Sequence, residues 1–349
     1  MSICRKCCDN SGMVMLASHP GNDLYQVWRL SFAGDQLRPL SEKSHINSSL
    51  GVTADGSEIY TVNQKEFRRL LVMRGDGSGD AREIVSNGPS GQFGIAWTPD
   101  NEIIYAGWSI FSQQLWIVDP DGRNNRRFSF NGDDDDAPSV SRDGRYVVYS
   151  SAQTPGSNNI CRMERESGRI ERLTSGRLDV VPTITPDGKW VFYVSWDEGR
   201  KGSIWKTPLE GGLAVQLTAG HTTNPTPAIS PDGRLLAYCH QDDRGRRIEI
   251  ARFDDLPLNG KPPLKTLAIP NETNMVLWSP DGNGLVYALA EDGVDNLYRQ
   301  PLDGRSPKRI TAFTLGQIAW FAWSFDGKQL ALSSLISNRE VINISEFRM

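Results

Sequence analysis

The chain has 349 residues, of which 38% are hydrophobic and 23% charged, and its formal net charge at pH 7 is -4. This composition is typical of a folded globular protein. Since there is no basic excess to neutralise phosphates, we expect no nucleic-acid partner. No apolar run approaches the roughly 18–20 residues of a membrane-spanning helix, so we expect no membrane insertion.

The first ten residues are polar and lack the apolar stretch that a signal peptide needs after its basic start. The sequence as it stands therefore predicts a cytoplasmic protein. A fragment of a longer exported protein would have the same sequence, and in that case we expect a periplasmic location.

A short turn sequence returns along the chain at a nearly fixed spacing. It reads Thr-Pro-Asp-Gly at 185–188 and Ser-Pro-Asp-Gly at 230–233 and 279–282, with degraded copies elsewhere. Proline fixes φ and glycine accepts a positive φ, so each copy predicts a tight turn. The turn positions lie 43 to 49 residues apart, which indicates a repeat protein. They are Asp9, Asp55, Asp100, Asp143, Asp187, Asp232, Asp281 and Asp326.

Between these turns the sequence predicts short strands rich in β-branched and aromatic residues, and no segment has a sustained helical period. In chain order the predicted strands are 13–18, 24–30, 36–40, 146–150, 159–163, 169–174, 180–185, 190–195, 203–207, 214–218, 235–239, 247–251, 285–288, 296–299, 329–333 and 341–345.

Each complete repeat predicts a four-stranded antiparallel meander, which is the size of one propeller blade. We therefore expect an all-β protein, a single β-propeller domain over residues 1–349. Eight blades are preferred because eight turn positions can be counted. The last copy lacks a fourth strand, so the alternative is seven blades, with N-terminal strands completing the last one. Ring closure matters because an open array exposes sheet edges.

The phrase Ser-Pro-Asp-Gly-Arg, followed by an apolar strand and then an Ile-Trp or Leu-Tyr strand, resembles the β-propeller repeat of TolB and its relatives. The matching segments are 185–195, 230–239, 279–288 and 323–333. The resemblance covers almost the whole chain and implies the fold more strongly than the function. It implies a protein-interaction module, a sensor-like C-terminal domain of a bacterial regulatory protein, or the gating domain of a peptidase.

A polar residue stands eight positions before most of the turn aspartates, where the innermost strand of each blade is predicted to begin. In later repeats the nearest polar residue is one position out of register. Such a set predicts either hydrogen bonds that hold neighbouring blades together or a polar channel mouth that binds a peptide, a loop or a small cation. Its members are Asn47, Gln92, Asp135, Asp179, Asn224, Asn274 and Gln317.

The run 133–136 consists of four consecutive aspartates. Adjacent carboxylates repel one another and attract a cation or a basic partner, so Asp133, Asp135 and Asp136 are candidate metal ligands. The run lacks the alternating ligands and glycine of a calcium loop, and a solvated acidic loop is the alternative. We therefore expect no cofactor, with a bound cation such as calcium as the exception.

Other chemistry-bearing residues give little sign of an active site. His45 and His221 precede predicted inner strands, but two histidines are few for a metal-dependent lyase. The segment 107–111 fails the Gly-x-Ser-x-Gly pattern of a nucleophile elbow at its last position. Cys161 and Cys239 lie in strand-like runs and are predicted to be buried fillers.

Tryptophans that recur at fixed repeat positions, such as Trp97, Trp278 and Trp323, are predicted to pack between blades. Trp108, Trp196 and Trp320 break that register and are candidates for exposed contacts. The sequence thus predicts a monomeric, non-catalytic scaffold that binds a protein or peptide at one propeller face. The alternatives are a metal-dependent lyase or hydrolase that uses channel carboxylates and histidines, and a small-molecule sensor.

Overall fold

The structure is a computed structural model. It describes residues 3–6, 12–18, 25–33, 36–40, 47–53, 59–86, 88, 90–108, 112–130, 134–154, 156–199, 201–218, 226–242, 245–258, 261–270, 273 and 275–344. Contacts between Cα atoms divide the chain into two units, of which unit 1 comprises Met1–Phe67 and Ile336–Met349, and unit 2 comprises Arg68–Leu335. The single domain over residues 1–349 stays a prediction.

Unit 1 contains one complete four-stranded antiparallel sheet, with strand order β1-β2-β3-β4. Its apolar residues, among them Val14, Leu16 and Val27, pack with Leu50 and Ile59 of the two following strands. The strands are β1 (Ile3–Lys6), β2 (Gly12–Ser18), β3 (Tyr25–Ser31), β4 (Gln36–Pro39), β5 (Asn47–Val52) and the first part of β6 (Ile59–Arg74).

Unit 2 begins within β6, continues with β7 (Arg82–Ser86) and ends within β29 (Gln329–Ile344). Between them lie five consecutive four-stranded sheets. Sheet 1 contains β8 (Ile95–Trp97), β9 (Ile103–Trp108), β10 (Gln113–Val118) and β11 (Arg126–Arg127); sheet 2 contains β12 (Asp135–Val140), β13 (Tyr146–Thr154), β14 (Ser157–Glu164) and β15 (Ile170–Arg172); sheet 3 contains β16 (Asp179–Ile184), β17 (Trp190–Trp196), β18 (Gly202–Pro208) and β19 (Val215–Gln216).

Sheet 4 contains β20 (Pro227–Ile229), β21 (Leu235–Asp242), β22 (Gly245–Arg252) and β23 (Lys265–Ala268); sheet 5 contains β24 (Val276–Trp278), β25 (Gly284–Glu291), β26 (Val294–Pro301) and β27 (Lys308–Arg309). Among the described residues, the only helix is one 3-10 turn, Phe253–Asp255. The predicted all-β class and the four-stranded antiparallel blades are therefore confirmed.

The sixth sheet of unit 2 closes the series with strands from both ends of that unit. It consists of β28 (Gln317–Trp323), the first part of β29, the last part of β6, and β7. The Gly75 N–H donates to the Lys328 carbonyl at 2.7 Å, which places β6 beside β29. Sheet 6 is thus completed by β6 and β7 from residues 59–86, whereas β1 to β4 form a separate sheet in unit 1.

Six apolar clusters lie between successive sheets of unit 2, so the described sheets of this unit form a ring. The cluster that joins sheet 6 to sheet 1 contains Leu70 and Ile95. The cluster that joins sheet 5 to sheet 6 contains Val286 and Phe321. The preferred total of eight blades, and the alternative of seven, refer to the whole chain and stay predictions.

The prediction of two separate strands at 329–333 and 341–345 was wrong, because β29 is one strand of 16 residues. No glycine or proline lies between residues 329 and 344 to interrupt it. Strand β6 also has 16 residues and also contains no glycine or proline. Backbone partners on both sides extend such a strand beyond the usual 5 or 6 residues.

Each sheet of unit 2 has one Asp-Gly-type turn between its first two strands, and the turns at Asp9 and Asp55 lie outside the described residues. Ser141 Oγ donates to Asp143 Oδ1 at 2.6 Å and accepts from the Tyr146 N–H at 2.9 Å. The same paired bonds recur at Thr185, Ser230 and Ser324. The hydroxyl and carboxylate thus satisfy the backbone of the bend, which gives the repeated sequence a structural role.

The predicted packing of the inner-strand tryptophans is confirmed for two members that join neighbouring sheets. Trp97 Nε1 donates to the Ala322 carbonyl at 2.9 Å, and Trp278 Nε1 donates to the Ala228 carbonyl at 3.0 Å. Both indoles are buried, as are the side chains of Cys161 and Cys239. The prediction that these cysteines are core fillers is therefore also confirmed.

Candidate binding site

The innermost strands of unit 2, which are β8, β12, β16, β20, β24 and β28, all begin at the same end of their sheets. We call this end of unit 2 the start face, and the opposite end, which has the Asp-Gly turns, the turn face. Because the strands are antiparallel, second strands end and third strands begin at the start face as well. The predicted polar channel mouth belongs to the start face.

The structure places three of the seven predicted mouth residues at the first position of an inner strand. These are Asp135 in β12, Asp179 in β16 and Gln317 in β28. Gln92 lies in a turn shortly before β8, and Asn47 is the first residue of β5 in unit 1. The remaining two, Asn224 and Asn274, fall outside the described residues. A ligand-binding role for the set stays a prediction.

A bulge follows the polar residue in these strands. The pairing register shifts between Asp136 and Ser139 in β12 and between Val180 and Thr183 in β16. At the same point Val181 has φ 54°, an uncommon conformation for a β-branched residue. Bulges re-aim side chains and are frequent next to functional sites, so the first residues of these strands are oriented separately from the rest of the strand.

Asp135 and Asp179 are both buried, and each carboxylate accepts a local hydrogen bond. Ser151 Oγ donates to Asp135 Oδ1 at 2.7 Å, and the Gly176 N–H donates to Asp179 Oδ2 at 2.9 Å. Asp179 Oδ1 is buried and accepts no hydrogen bond from the described residues. Hydrogen bonds to nearby residues therefore account for part of the predicted mouth residues, but Asp179 Oδ1 has no hydrogen-bond donor among the described residues.

Asp136, the next residue of β12, is an acid with an altered proton affinity. Burial, and to a smaller extent the Asp135 and Asp134 carboxylates, raise its pKa to about 7, against an opposing hydrogen bond from Ser150. Desolvation and neighbouring negative charge both disfavour the ionised form. This carboxyl therefore keeps its proton to a higher pH than an exposed aspartate does.

We expect Asp136→Asn to stabilise the protein at pH 8 and to have little effect near pH 4. The folded state holds the Asp136 proton between the unfolded pKa of about 4 and its own pKa of about 7. The free energy of unfolding therefore falls as the pH rises through that window, and asparagine removes the loss. Urea unfolding at the two pH values measures the difference.

Asp143→Asn is the control, because we expect it to lower the free energy of unfolding at pH 8 where Asp136→Asn raises it. Hydrogen bonds from Ser141 and from the Arg145 N–H hold the pKa of Asp143 below its usual value. Its ionised form thus contributes stability above pH 4 that is lost as the pH falls through the lowered pKa. An Asp136→Asn variant that is less stable than the parent at pH 8 would contradict the assignment.

The candidate metal ligands do not form a site in the described part of the chain. No group of three or more His, Cys, Asp or Glu side chains there is arranged to hold an ion. Asp133 lies outside the described residues, as do His45 and His221. Asp135 and Asp136 are adjacent in β12, but their described surroundings add no third ligand. Binding of a cation such as calcium stays a prediction.

A pocket of about 330 Å³ opens between sheets 5 and 6, and its lining includes the predicted mouth residue Gln317. Most of the remaining wall is apolar, and Asp295 is the charged residue among the lining side chains. The lining consists of Met275, Ala288, Ala290, Asp295, Gln317, Ile318, Ala319, Phe321 and Leu335.

A second feature of the start face is two pairs of side chains on sheet 1, each with one exposed aromatic ring. Trp108, at the end of β9, is 47% exposed and meets Phe93 edge to face, with ring centroids 6.1 Å apart. Phe130, just after β11, is 72% exposed and has the Arg127 guanidinium 5.1 Å from its ring centroid. We call Phe93, Trp108, Arg127 and Phe130 the aromatic patch. The exposure predicted for Trp108 is confirmed, whereas Trp196 and Trp320 are only partly exposed, and Trp320 packs against the apolar clusters on both sides of sheet 6.

Sequence reasoning missed Asp295 and most of the aromatic patch. A signal for Asp295 existed in Asp292-Gly293, whose φ values of 52° and 81° form the tight hairpin between β25 and β26. An Asp-Gly pair between two strands is a strong hairpin signal. The same signal indicates that the flanking residues, which include Asp295, lie at a sheet end.

The ring of four-stranded sheets defines a β-propeller, and comparison with known proteins gives its family. The sequence profile of the TolB beta propeller domain matches residues 78–202 and 130–259, which together span just over half of the chain. The chain therefore belongs to the TolB beta propeller family.

The solved structures that are similar to this chain agree with that assignment. A candidate TolB of Agrobacterium tumefaciens superimposes with a TM-score of 0.60 at 16% identity, covering 78% of this chain and 99% of that one. TolB of Acinetobacter baumannii gives 0.53 at 17% identity, covering 91% of this chain and 78% of that one. At these identities the similarity shows the fold.

A curated relative, an uncharacterized protein of Agrobacterium fabrum, is 29% identical over 157 residues, which is 42% of this chain. The match spans about half the length of that relative. Within the described residues, no helix is long and apolar enough to span a membrane. The cellular compartment, whether cytoplasmic or periplasmic, stays a prediction.

Proposed function

We propose that this protein is a non-catalytic scaffold whose start face binds a protein or peptide partner. The aromatic patch carries the proposal. Tryptophan is enriched among the residues that dominate binding energy at protein interfaces, and large aromatic side chains grouped on a surface indicate an interaction site. Trp108 is held by an edge-to-face contact with Phe93, so little side-chain freedom is lost when a partner packs against it.

The location of the patch also favours a binding role. It lies on sheet 1, and the acidic start of sheet 2 follows it along the chain. Asp134 is exposed there, and its carboxylate accepts a hydrogen bond from the Gln113 N–H at 2.8 Å, which fixes its position. Apolar anchors beside fixed charges are the usual composition of a specific protein interface, in which the charges set orientation and partner choice.

Selection of peptides tests the proposal without a known partner. The full chain is immobilised, binding peptides are selected from a random displayed library, and the affinity of each is measured for the parent protein and for Trp108→Ala. We expect the substitution to weaken binding by about 30-fold or more, as for an interface residue worth about 2 kcal/mol. The change removes only an exposed ring, so the melting temperature should stay nearly unchanged.

Phe325→Ala is the matched control, because Phe325 is 45% exposed but lies in a turn on the opposite face. Selected peptides should bind this variant as tightly as the parent. Peptides that lose affinity with Phe325→Ala and not with Trp108→Ala would place binding on the turn face and overturn the proposal. Failure to select any peptide that depends on Trp108 would overturn it as well.

A further inference from the structure

Asp295 is fixed at the junction of sheets 5 and 6 by two hydrogen bonds, one to Gly316 just before β28 and one to Ile318 within β28. Its own N–H donates to the Gly316 carbonyl at 2.9 Å. Its Oδ2 accepts from the Ile318 N–H at 2.8 Å. The carboxylate is therefore held in one position before any ligand arrives, and this position lines the pocket between the two sheets.

No described basic side chain pairs with Asp295. Arg309, one of the two basic residues of the outer strand β27, donates instead to the carbonyls of Thr311 and Phe313, and its Nη1 lies 3.9 Å from Glu291 Oε2. Asp295 is about half buried, which raises the pKa of its carboxyl above the usual value. A half-buried carboxylate without a cationic neighbour favours binding of an external cation.

The walls of the pocket fit the stem of a long basic side chain. Ala290, Ile318 and Leu335 supply accessible apolar surface from sheets 5 and 6, and the largely buried Met275 also lines the pocket. Lysine and arginine bury their methylene stems along such surface while the charged end group reaches a polar partner. Methionine is also flexible enough to adapt to either side chain.

We propose that this pocket receives a lysine or arginine side chain of the bound peptide, with Asp295 as its charge partner. This inference rests on the proposed function and adds the chemistry of one partner residue. The charge pair supplies selectivity for a basic residue, and the apolar wall supplies contact area. Gln317, at the same pocket, can accept a hydrogen bond from the cation through its side-chain carbonyl.

A titration of single amino-acid derivatives tests the pocket directly. The chain contains seven methionines, so a protein with 13C-labelled methionine methyl groups gives few signals, and Met275→Leu assigns the one in the pocket. The ligands are the N-acetyl methylamides of lysine, arginine and norleucine. We expect the Met275 signal to shift with lysine or arginine, and the uncharged norleucine to bind at least about tenfold more weakly.

Asp295→Asn should weaken binding of the basic derivatives by about tenfold or more while the melting temperature stays close to that of the parent. Asn158→Ala is the matched control, because the Asn158 N–H makes the corresponding bond to the Arg177 carbonyl in sheets 2 and 3, at 3.0 Å. It should leave the titration unchanged.

Three results would overturn the proposal: no shift of the Met275 signal with either basic derivative, equal binding of norleucine, or unchanged binding by Asp295→Asn. The titration needs no partner peptide. A negative titration together with peptides that depend on Trp108 would therefore remove the pocket proposal alone. A positive titration without such peptides would overturn the proposed function and leave the pocket as a binding site for a basic side chain.

Discussion

Phe321→Ala is expected to lower the free energy of unfolding by about 3–5 kcal/mol. Phe321 is 1% exposed and belongs to the apolar cluster that joins sheet 5 to sheet 6, with Val286, Leu297 and Leu330. Its ring also meets Trp323 edge to face, with centroids 5.6 Å apart. Removing the ring leaves a cavity between two sheets that backbone hydrogen bonds hold in place, so little relaxation can fill it.

Urea unfolding followed by tryptophan fluorescence measures the change. Phe325→Ala, four residues further along in an exposed turn, removes the same group and should alter the stability by no more than about 0.5 kcal/mol. A loss below about 1 kcal/mol for Phe321→Ala would mean that the junction of sheets 5 and 6 is not a tightly packed core.

Gly75→Ala is expected to destabilise the protein by about 1–3 kcal/mol or more, through a backbone clash. Gly75 follows β6 directly, and its N–H donates to the Lys328 carbonyl at 2.7 Å. A β-carbon at this position would overlap the Gly327 carbonyl oxygen and lie 2.9 Å from the carbonyl carbon. Because these neighbours are main-chain atoms in a turn, β6 and β29 must separate locally to admit a methyl group.

Gly88→Ala is the control, because the nearest atom to its added β-carbon would be the Ser86 carbonyl oxygen at 3.9 Å. That substitution should be neutral or slightly stabilising, since alanine restricts the unfolded chain. Native-state hydrogen exchange should also show faster exchange in β28 and β7 for Gly75→Ala. A Gly75→Ala protein as stable as the parent would show that sheet 6 is not closed at this contact.

Features with a local cause could be predicted from the sequence. The Asp-Gly turns depend on residues two to five positions apart, such as Ser141 and Tyr146, and the pattern alone located six of them correctly. The strand predicted at 190–195 is observed as Trp190–Trp196. Trp108 was selected because it broke the repeat register, and its exposure follows from that position at the end of β9.

Features that depend on distant parts of the chain could not be predicted in the same way. The bond between Gly75 and Lys328 joins residues about 250 positions apart. The pocket at Asp295 is lined by residues of sheets 5 and 6, and the Ile318 N–H of sheet 6 donates to the Asp295 carboxylate of sheet 5. A repeat pattern shows that blades exist and not which strands complete the final sheet, so the long strands β6 and β29 were missed.

Sheet 6 combines strands from the beginning and the end of unit 2, and this sets an order of events during synthesis of the chain. β6 and β7 leave the ribosome before sheets 1 to 5, but their partner β29 is made only after those sheets. At about 5–20 residues per second this delay is roughly 10–50 s. Throughout it, β6 presents an unpaired edge that the β29 of another copy can occupy. Slow translation and high protein concentration should therefore favour strand-exchanged dimers over the closed monomer.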